Sequence, residues 1–140
     1  MARFRFPVVA HEVIDGDSIR VWVDRGWGDT KKIICRLHGI DTPELRNAKS
    51  ELEREAAGQV RTFVSDWVSA TNQELETESL DKGVWVGRYW GDIFRISDTT
   101  HDGLSSVLLE AGLAVPYSGG RRSWTEDQLN GILGKLDDML

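Results

Sequence analysis

The stretch Val13-Ile14-Asp15-Gly16-Asp17-Ser18-Ile19-Arg20-Val21-Trp22-Val23 contains two apolar segments separated by a polar turn. In the second segment, β-branched residues recur at every second position, which is typical of a half-buried β-strand. The Asp-Gly pair between the segments is a common hairpin turn. A further turn at residues 25–29 and an apolar segment at 33–37 predict a third strand. The first third of the chain is therefore predicted to be a three-stranded meander whose edges must be covered or closed.

The middle of the chain changes its period. Between about residues 50 and 70, apolar side chains recur every three or four positions, which predicts an amphipathic helix against the sheet. Strand patterns return at 73–80 and 84–96, separated by Asp81-Lys82-Gly83. A short helix is predicted at 102–111 and, after an irregular segment at 116–120, a last helix with Thr125 and Gln128 at capping-box spacing. This order predicts an α+β fold, mainly β: a five-stranded OB-type barrel with three helices.

The composition is that of one globular domain spanning residues 1–140, with 40% hydrophobic and 29% charged residues. No apolar run approaches the roughly 20 residues that cross a bilayer, so we expect no membrane partner. The first residues lack an apolar run of signal-peptide length, which favours a cytoplasmic protein. Cys35 is the single cysteine, so an intrachain disulfide is excluded. We expect a monomer.

The densest polar cluster is Asp41-Thr42-Pro43-Glu44, directly after the strand that carries Arg36. Pro43 restricts the backbone, so two carboxylates three residues apart can converge as ligands of a hard cation. The alternative is a polar loop that uses Asp and Pro for its turn geometry alone. Asp17 favours the metal site, because a second acid at a strand entry adds repulsion without improving the turn. If the first and third strands are neighbours, Asp17 and Asp41 face one another as a metal-binding pair.

Two arginines provide a complementary charge. Arg36 lies in an apolar strand, where a charge is costly unless it meets a partner or ligand. Arg88 lies between Gly87 and Gly91 in a segment that permits close backbone approach. A scissile phosphodiester gains negative charge in its transition state, and guanidinium groups stabilise that charge with paired donors. Each arginine, taken alone, is equally well explained as a structural ion-pair partner.

Four blocks of this sequence together resemble the staphylococcal (thermo)nuclease family. They match in order and in approximate separation, from about residue 8 to residue 117. They are Val13-Ile14-Asp15-Gly16-Asp17-Ser18, Arg36-Leu37-His38-Gly39-Ile40-Asp41-Thr42-Pro43-Glu44, Gly87-Arg88 and Leu108-Leu109-Glu110-Ala111-Gly112-Leu113-Ala114. The second block is highly specific, whereas Asp-Gly-Asp alone is a weak signal.

The resemblance implies an OB-type barrel and a calcium-dependent endonuclease that hydrolyses DNA and RNA to 3′-phosphate products, with single-stranded substrates preferred. It implies Ca²⁺ ligands at Asp17, Asp41 and the main-chain carbonyl of Thr42. It implies phosphate-binding roles for Arg36 and Arg88, and contact between Glu44 and the attacking water.

The chain departs from that family in several features. Ser18 replaces the usual threonine, and the loop after residue 44 is short. The net charge of −6 argues against nonspecific nucleic-acid binding, although a bound divalent cation reverses the sign of an acidic cleft. The principal alternative is a noncatalytic OB-fold module that binds nucleic acid, because barrels of this kind also occur as interaction domains. Such modules typically lose the acidic and arginine set, and this sequence retains all five positions, which favours an enzyme.

Further residues have open interpretations. A weaker hypothesis gives His38 a catalytic role, and Arg121 and Arg122 either hold a nucleic-acid backbone or are simply solvated. Candidates for stacking on bases are Tyr89, Tyr117, Trp85 and Trp90.

Overall fold

Alternating apolar residues form the strands of the computed structural model, which describes residues 3–70, 72–82, 87–96, 103–117, 119 and 123–140. The elements in chain order are β1 (Arg3–Asp15), β2 (Ser18–Asp24), β3 (Thr30–Leu37), β4 (Ile40–Asp41), α1 (Glu51–Ser69), β5 (Gln73–Lys82), β6 (Arg88–Arg95), α2 (Leu104–Glu110), β7 (Val115–Pro116) and α3 (Glu126–Asp138).

The sheet is mixed and curled. β1, β2 and β3 form the predicted antiparallel meander, and β6 joins β3 in parallel, so that these four strands make a half-barrel. β5 pairs antiparallel with both β1 and β6, and its backbone pairing closes the sheet on itself. The short strands β4 and β7 pair separately. The predicted α+β class is confirmed.

The inner side of the curled sheet holds the core. Every second residue of β2 and β3 is buried, and α1 covers the same core with one apolar stripe, as its period predicts. Buried residues from these elements include Ile19, Val21, Val23, Ile33, Cys35, Leu37, Ala56, Val60, Val64 and Val68.

Side-chain caps start the first and third helices, and the cap predicted for α3 is confirmed. The N–H of Glu53 donates to Ser50 Oγ at 3.0 Å, and Thr125 and Gln128 form a reciprocal capping box at the start of α3. α3 packs against α1 through Leu129, Ile132 and Leu136. In the described part of the chain, no helix is both long enough and apolar enough to cross a bilayer.

Two local predictions are wrong. The fourth strand is predicted to end at residue 80, but β5 continues through Asp81 and Lys82. Pro116 lies in β7, opposite Ile40, within the segment predicted to be irregular. The condition stated for Asp17 and Asp41, that the first and third strands are neighbours, is not met, because β2 lies between β1 and β3. Two-residue strands carry no periodic signal, so β4 and β7 depend on contacts that a local pattern does not contain. Residues 84–86 of the fifth predicted strand lie outside the described residues.

Candidate active site

Asp17 lies in the turn between β1 and β2 and is only 7% exposed. Its carbonyl oxygen accepts a hydrogen bond from the N–H of Leu37 at 2.8 Å. Its Oδ2 accepts one from the N–H of Thr42 at 3.1 Å. Asp17 therefore reaches the Asp41 segment without direct pairing of β1 with β3. It does so because Ser18, the next residue, opens β2 opposite Arg36 of β3.

The guanidinium of Arg36 joins the two predicted metal carboxylates. Nη1 donates to the carbonyl oxygens of Leu37 and Ile40, each at 2.9 Å, which fixes the plane of the group. Nη2 donates to Asp41 Oδ1 at 2.7 Å and lies 3.3 Å from Asp17 Oδ2. Asp41 is 8% exposed, so this ion-pair cluster is shielded from water. The expected partner of a charge in an apolar strand is thus present.

Arg88 connects to the same cluster from the neighbouring strand. β6 runs parallel to β3, with Arg88 opposite Ile34. Arg88 Nη2 donates to Ser18 Oγ at 3.3 Å, and Ser18 Oγ donates to Asp17 Oδ1 at 3.3 Å. A hydroxyl thus links the second arginine to the first carboxylate.

The loop after Asp41 is held by a buried carboxylate that is not among the predicted site residues. Glu53 of α1 is 4% exposed. Its Oε2 accepts from the N–H of Glu44 and its Oε1 from the N–H of Lys49, both at 3.1 Å. The side chain of Glu44 itself is exposed. The helical period predicts Glu53 as one of the polar residues of α1. The signal available in the sequence is the short loop before α1, which indicates that the first turn of the helix also contacts this loop.

Asp15 has a similar positioning role, although its place in an Asp-Gly pair predicts only a turn residue. Asp15 Oδ1 accepts a hydrogen bond from the N–H of Leu45 at 3.2 Å. Burial raises the pKa of the Asp15 carboxyl to about 6, against the lowering effect of that hydrogen bond. The negative charges of Asp17 and Glu44 raise this pKa further. The loop that carries Glu44 is thus fastened on one side by Asp15 and on the other by Glu53.

Gly16 is required by close approach rather than by its backbone dihedral angles. A Cβ at this position would lie 2.5 Å from Val60 Cγ1 and 2.8 Å from Thr42 Oγ1. The β1–β2 turn therefore packs directly on α1 and on the Thr42 segment. Any larger residue would displace the contact between Asp17 and Thr42.

The donors of this cluster suit a hard cation. Asp17 and Asp41 offer carboxylate oxygens, the ligands that calcium prefers, and carbonyl oxygens complete such sites. Thr42 Oγ1 is buried here and has no hydrogen-bond partner within the described residues. Those residues contain no group of three or more His, Cys, Asp or Glu side chains arranged around one point. A cation at this position would thus combine two carboxylates with main-chain or water oxygens.

Aromatic rings lie beside Arg36. Its Cζ is 5.5 Å from the ring centre of Trp90 and 5.8 Å from that of Tyr117. Tyr117 arrives there because β7 pairs with β4 and its N–H donates to Gly39 O. His38 is exposed and meets Trp90 edge to face, with ring centres 5.8 Å apart. Tyr89, the other tyrosine candidate, packs against the core instead. Trp85, Arg121 and Arg122 lie outside the described residues.

Cys35 has no place in the candidate chemistry. It is fully buried in β3, and burial raises the pKa of its thiol far above the ordinary value. A neutral, inaccessible thiol is a small apolar core residue.

No protein-family model matches the chain, and a search of curated proteins returns no match. The functional conclusion therefore rests on the residues and their geometry.

Proposed function

We propose that this protein is a calcium-dependent endonuclease, built on an OB-type five-stranded barrel that resembles the staphylococcal nuclease fold. The observation that carries this proposal is the convergence of opposite charges at one end of the sheet. Nη2 of Arg36 lies against both Asp17 and Asp41, and Arg88 reaches Asp17 through Ser18. Two carboxylates for a cation and two guanidiniums for a phosphate thus occupy one shielded cluster.

The arrangement of Arg36 supports a phosphate-binding role. Its Nη1 is held by two main-chain carbonyls, so the group is oriented before any ligand arrives. Of the five N–H donors of an arginine, the two on Nη1 meet main-chain carbonyls and the two on Nη2 face Asp41 and Asp17, which leaves Nε–H. A cation that takes over the two carboxylates would free the Nη2 donors beside Nε–H, and paired donors of this kind suit phosphate oxygens.

Each residue then has a distinct task in hydrolysis. Asp17, Asp41 and the carbonyl of Thr42 would hold the calcium ion, which supplies Lewis-acid stabilisation of phosphate charge when bound. Arg36 and Arg88 bind the phosphate and stabilise the charge that develops on its oxygens. Glu44 contacts the attacking water, and Asp15 and Glu53 position its backbone. The water attacks the phosphorus in line with its bond to the 5′-oxygen. That bond breaks, the 5′-oxygen leaves, and the product carries a 3′-phosphate.

The test is cleavage of single-stranded DNA and RNA across a calcium series, with Glu44→Gln as the central variant. We expect fragments with 3′-phosphate ends from the unaltered protein and none after chelation. Glu44→Gln should lower the rate about 10²- to 10⁴-fold, because a positioned acid–base group contributes that much, while oligonucleotide affinity is retained.

A matched control is Glu55→Gln, which changes an exposed carboxylate on α1 and should leave the rate unchanged. If the unaltered protein binds DNA and RNA but cleaves neither at any calcium concentration, the enzyme is ruled out and the noncatalytic binding module replaces it.

A further inference from the structure

The outer face of the strands β2, β3 and β6 continues away from the candidate active site. In β2 and β3 the inward residues are buried, so Trp22, Lys32, Ile34 and Arg36 point to the opposite face. The register places Trp22 opposite Lys32, and Arg88 and Trp90 opposite Ile34 and Arg36. We call this surface the outer track; its residues are Trp22, Lys32, Ile34, Arg36, Arg88 and Trp90.

The apolar members of the outer track are not core residues. Tyr89 of β6 packs against the buried cluster, whereas Trp22, Ile34 and Trp90 do not belong to it or to the residues packed on it. All three are half-buried, so each presents part of its side chain to solvent. Trp90 lies beside Arg36, and Trp22 is four residues farther along the strand pair, or about 13 Å. Aromatic faces thus recur at intervals along a path that leads away from the phosphate-binding arginines.

The charge on this path is suited to an anion. Lys32 is exposed and, within the described part of the chain, its side chain makes no ion pair or hydrogen bond. Two nearby acids are in ion pairs, Glu12 with Arg20 and Asp29 with Arg25, while Asp24 keeps its charge and accepts a hydrogen bond from the N–H of Gly26. The path is therefore locally less acidic than the net charge of −6 suggests.

An exposed tryptophan stands at the far end of the same hairpin. Trp27 lies fully exposed in the β2–β3 turn and has a φ of 52°, an uncommon value for a bulky residue. The turn is braced by the Arg25–Asp29 ion pair at 2.7 Å and by a hydrogen bond from the N–H of Arg25 to Asp29 O at 2.8 Å. A large apolar ring is thus held in water by a turn that fixes its backbone.

We propose that the outer track, together with Trp27, binds single-stranded nucleic acid beyond the scissile phosphate. This inference rests on the proposed nuclease function, because it takes Arg36 and Arg88 as one end of the path. Bases stack on Trp90, Trp22 and Trp27, and Lys32 contacts the backbone between them. β3 is eight residues and about 26 Å long, enough for the shorter site sizes of about four nucleotides known for such barrels.

The experiment measures binding in calcium with Glu44→Gln protein, so that substrate is not cleaved, using labelled thymidine oligomers of two and ten nucleotides. Trp22→Ala and Trp27→Ala should each weaken decamer binding about five- to fifty-fold, because one stacked base is lost. Lys32→Ala should weaken decamer binding and reduce its salt dependence by about one phosphate contact. Dinucleotide binding, which needs only the arginine end, should change less than about two-fold.

Two controls keep this test sharp. Lys135→Ala removes an exposed lysine on α3 and should leave binding of both oligomers unchanged. Lys32 and Trp27 are exposed, so their variants remain informative even if Trp22→Ala disturbs folding. Equal decamer affinity of the Trp27→Ala, Lys32→Ala and parent proteins overturns the outer track.

Failure of this inference differs from failure of the proposed function. If the unaltered protein cleaves DNA or RNA but decamer binding is unchanged in the variants, only the proposal of the outer track is refuted. If decamer binding depends on Lys32 and Trp27 but no cleavage occurs, the outer track is supported and the nuclease function is refuted.

Discussion

Glu53 shows how one carboxylate can couple a helix to the loop that carries Glu44. Its two oxygens accept separate backbone N–H groups, from Glu44 and from Lys49, while its own N–H is capped by Ser50. Hydrogen bonds to a buried charge are worth more than neutral ones, and an N–H left without a partner is costly. The side chain therefore stabilises the start of α1 and orients Glu44 at the same time.

The first residue-scale prediction is that Glu53→Gln damages both stability and turnover. The amide has one acceptor oxygen in place of two, so one backbone N–H loses its partner. We expect the free energy of unfolding to fall by about 2 kcal/mol. We expect a corresponding fall in Tm of about 6 °C. With Glu44 less well positioned, kcat for DNA cleavage should decrease while KM changes little.

The matched control is Glu55→Gln on the exposed side of the same helix, which should alter neither Tm nor kcat. A Glu53→Gln protein with the stability of the unaltered chain and a normal kcat would contradict the positioning role.

At this scale the sequence identified the charged residues but not all of their supports. Arg36 was conspicuous because it interrupts an apolar strand, and Asp17 because it adds repulsion to a turn. Glu53 and Asp15 were not, since a polar residue in an amphipathic helix and an acid in an Asp-Gly turn are both ordinary. Their roles depend on which loop packs against them, and local sequence does not contain that information.

In the β2–β3 turn, the backbone conformation that holds Trp27 at the surface lowers the stability of the turn. A φ of 52° at Trp27 brings its Cβ close to backbone atoms, at a cost of about 1–2 kcal/mol for an L-residue. Gly26 and Gly28 on either side adopt positive φ values without that cost. A glycine at all three positions would form the same turn with less strain.

We therefore expect Trp27→Gly to be more stable than Trp27→Ala by about 1 kcal/mol, because both remove the ring and only alanine keeps the Cβ. In a domain of this size the difference in Tm is about 3 °C. Thermal unfolding of the two variants measures it directly. A lower Tm for the glycine variant would show that the left-handed backbone is not the source of strain.

The regular elements were predictable and the connections between them were not. The period of α1 and the capping box of α3 are local, and the structure confirms both. The pairing of β4 with β7 joins residues about 75 positions apart through two-residue strands. It is this pairing that brings Tyr117 to Arg36, so the aromatic side of the candidate site was only loosely anticipated.

Calcium binding should be visible in the stability of the whole molecule. A ligand that binds the folded state alone raises its stability by about 2.7 kcal/mol at a hundred times its Kd. That gain corresponds to a rise in Tm of about 8 °C. We expect this rise when calcium is added to chelator-treated protein, and no rise for Asp41→Asn. If calcium saturates cleavage but leaves Tm unchanged, the ion does not bind at the proposed site of the folded protein.

The curled sheet as a whole followed from simple patterns. Three alternating segments, a long amphipathic helix and two later strands predict the α+β class, and inward burial of β2 and β3 confirms the assigned face. The pairing of the strands was harder to predict from the sequence, because β6 joins β3 in parallel only after the chain has passed through α1 and β5. That parallel pairing is what sets Arg88 near Asp17.

The position of Arg36 between Asp17 and Asp41 has a consequence for the order of events in the cell. One guanidinium can balance only one of the two carboxylate charges beside it. A cation that takes over both carboxylates releases donors on Arg36 for a phosphate, and a phosphate that binds Arg36 raises the affinity of the carboxylates for a cation. Linkage requires these two effects to be equal in free energy. Nucleic acid would then raise the affinity for calcium by the same factor as calcium raises the affinity for nucleic acid, and the site would respond to the presence of both.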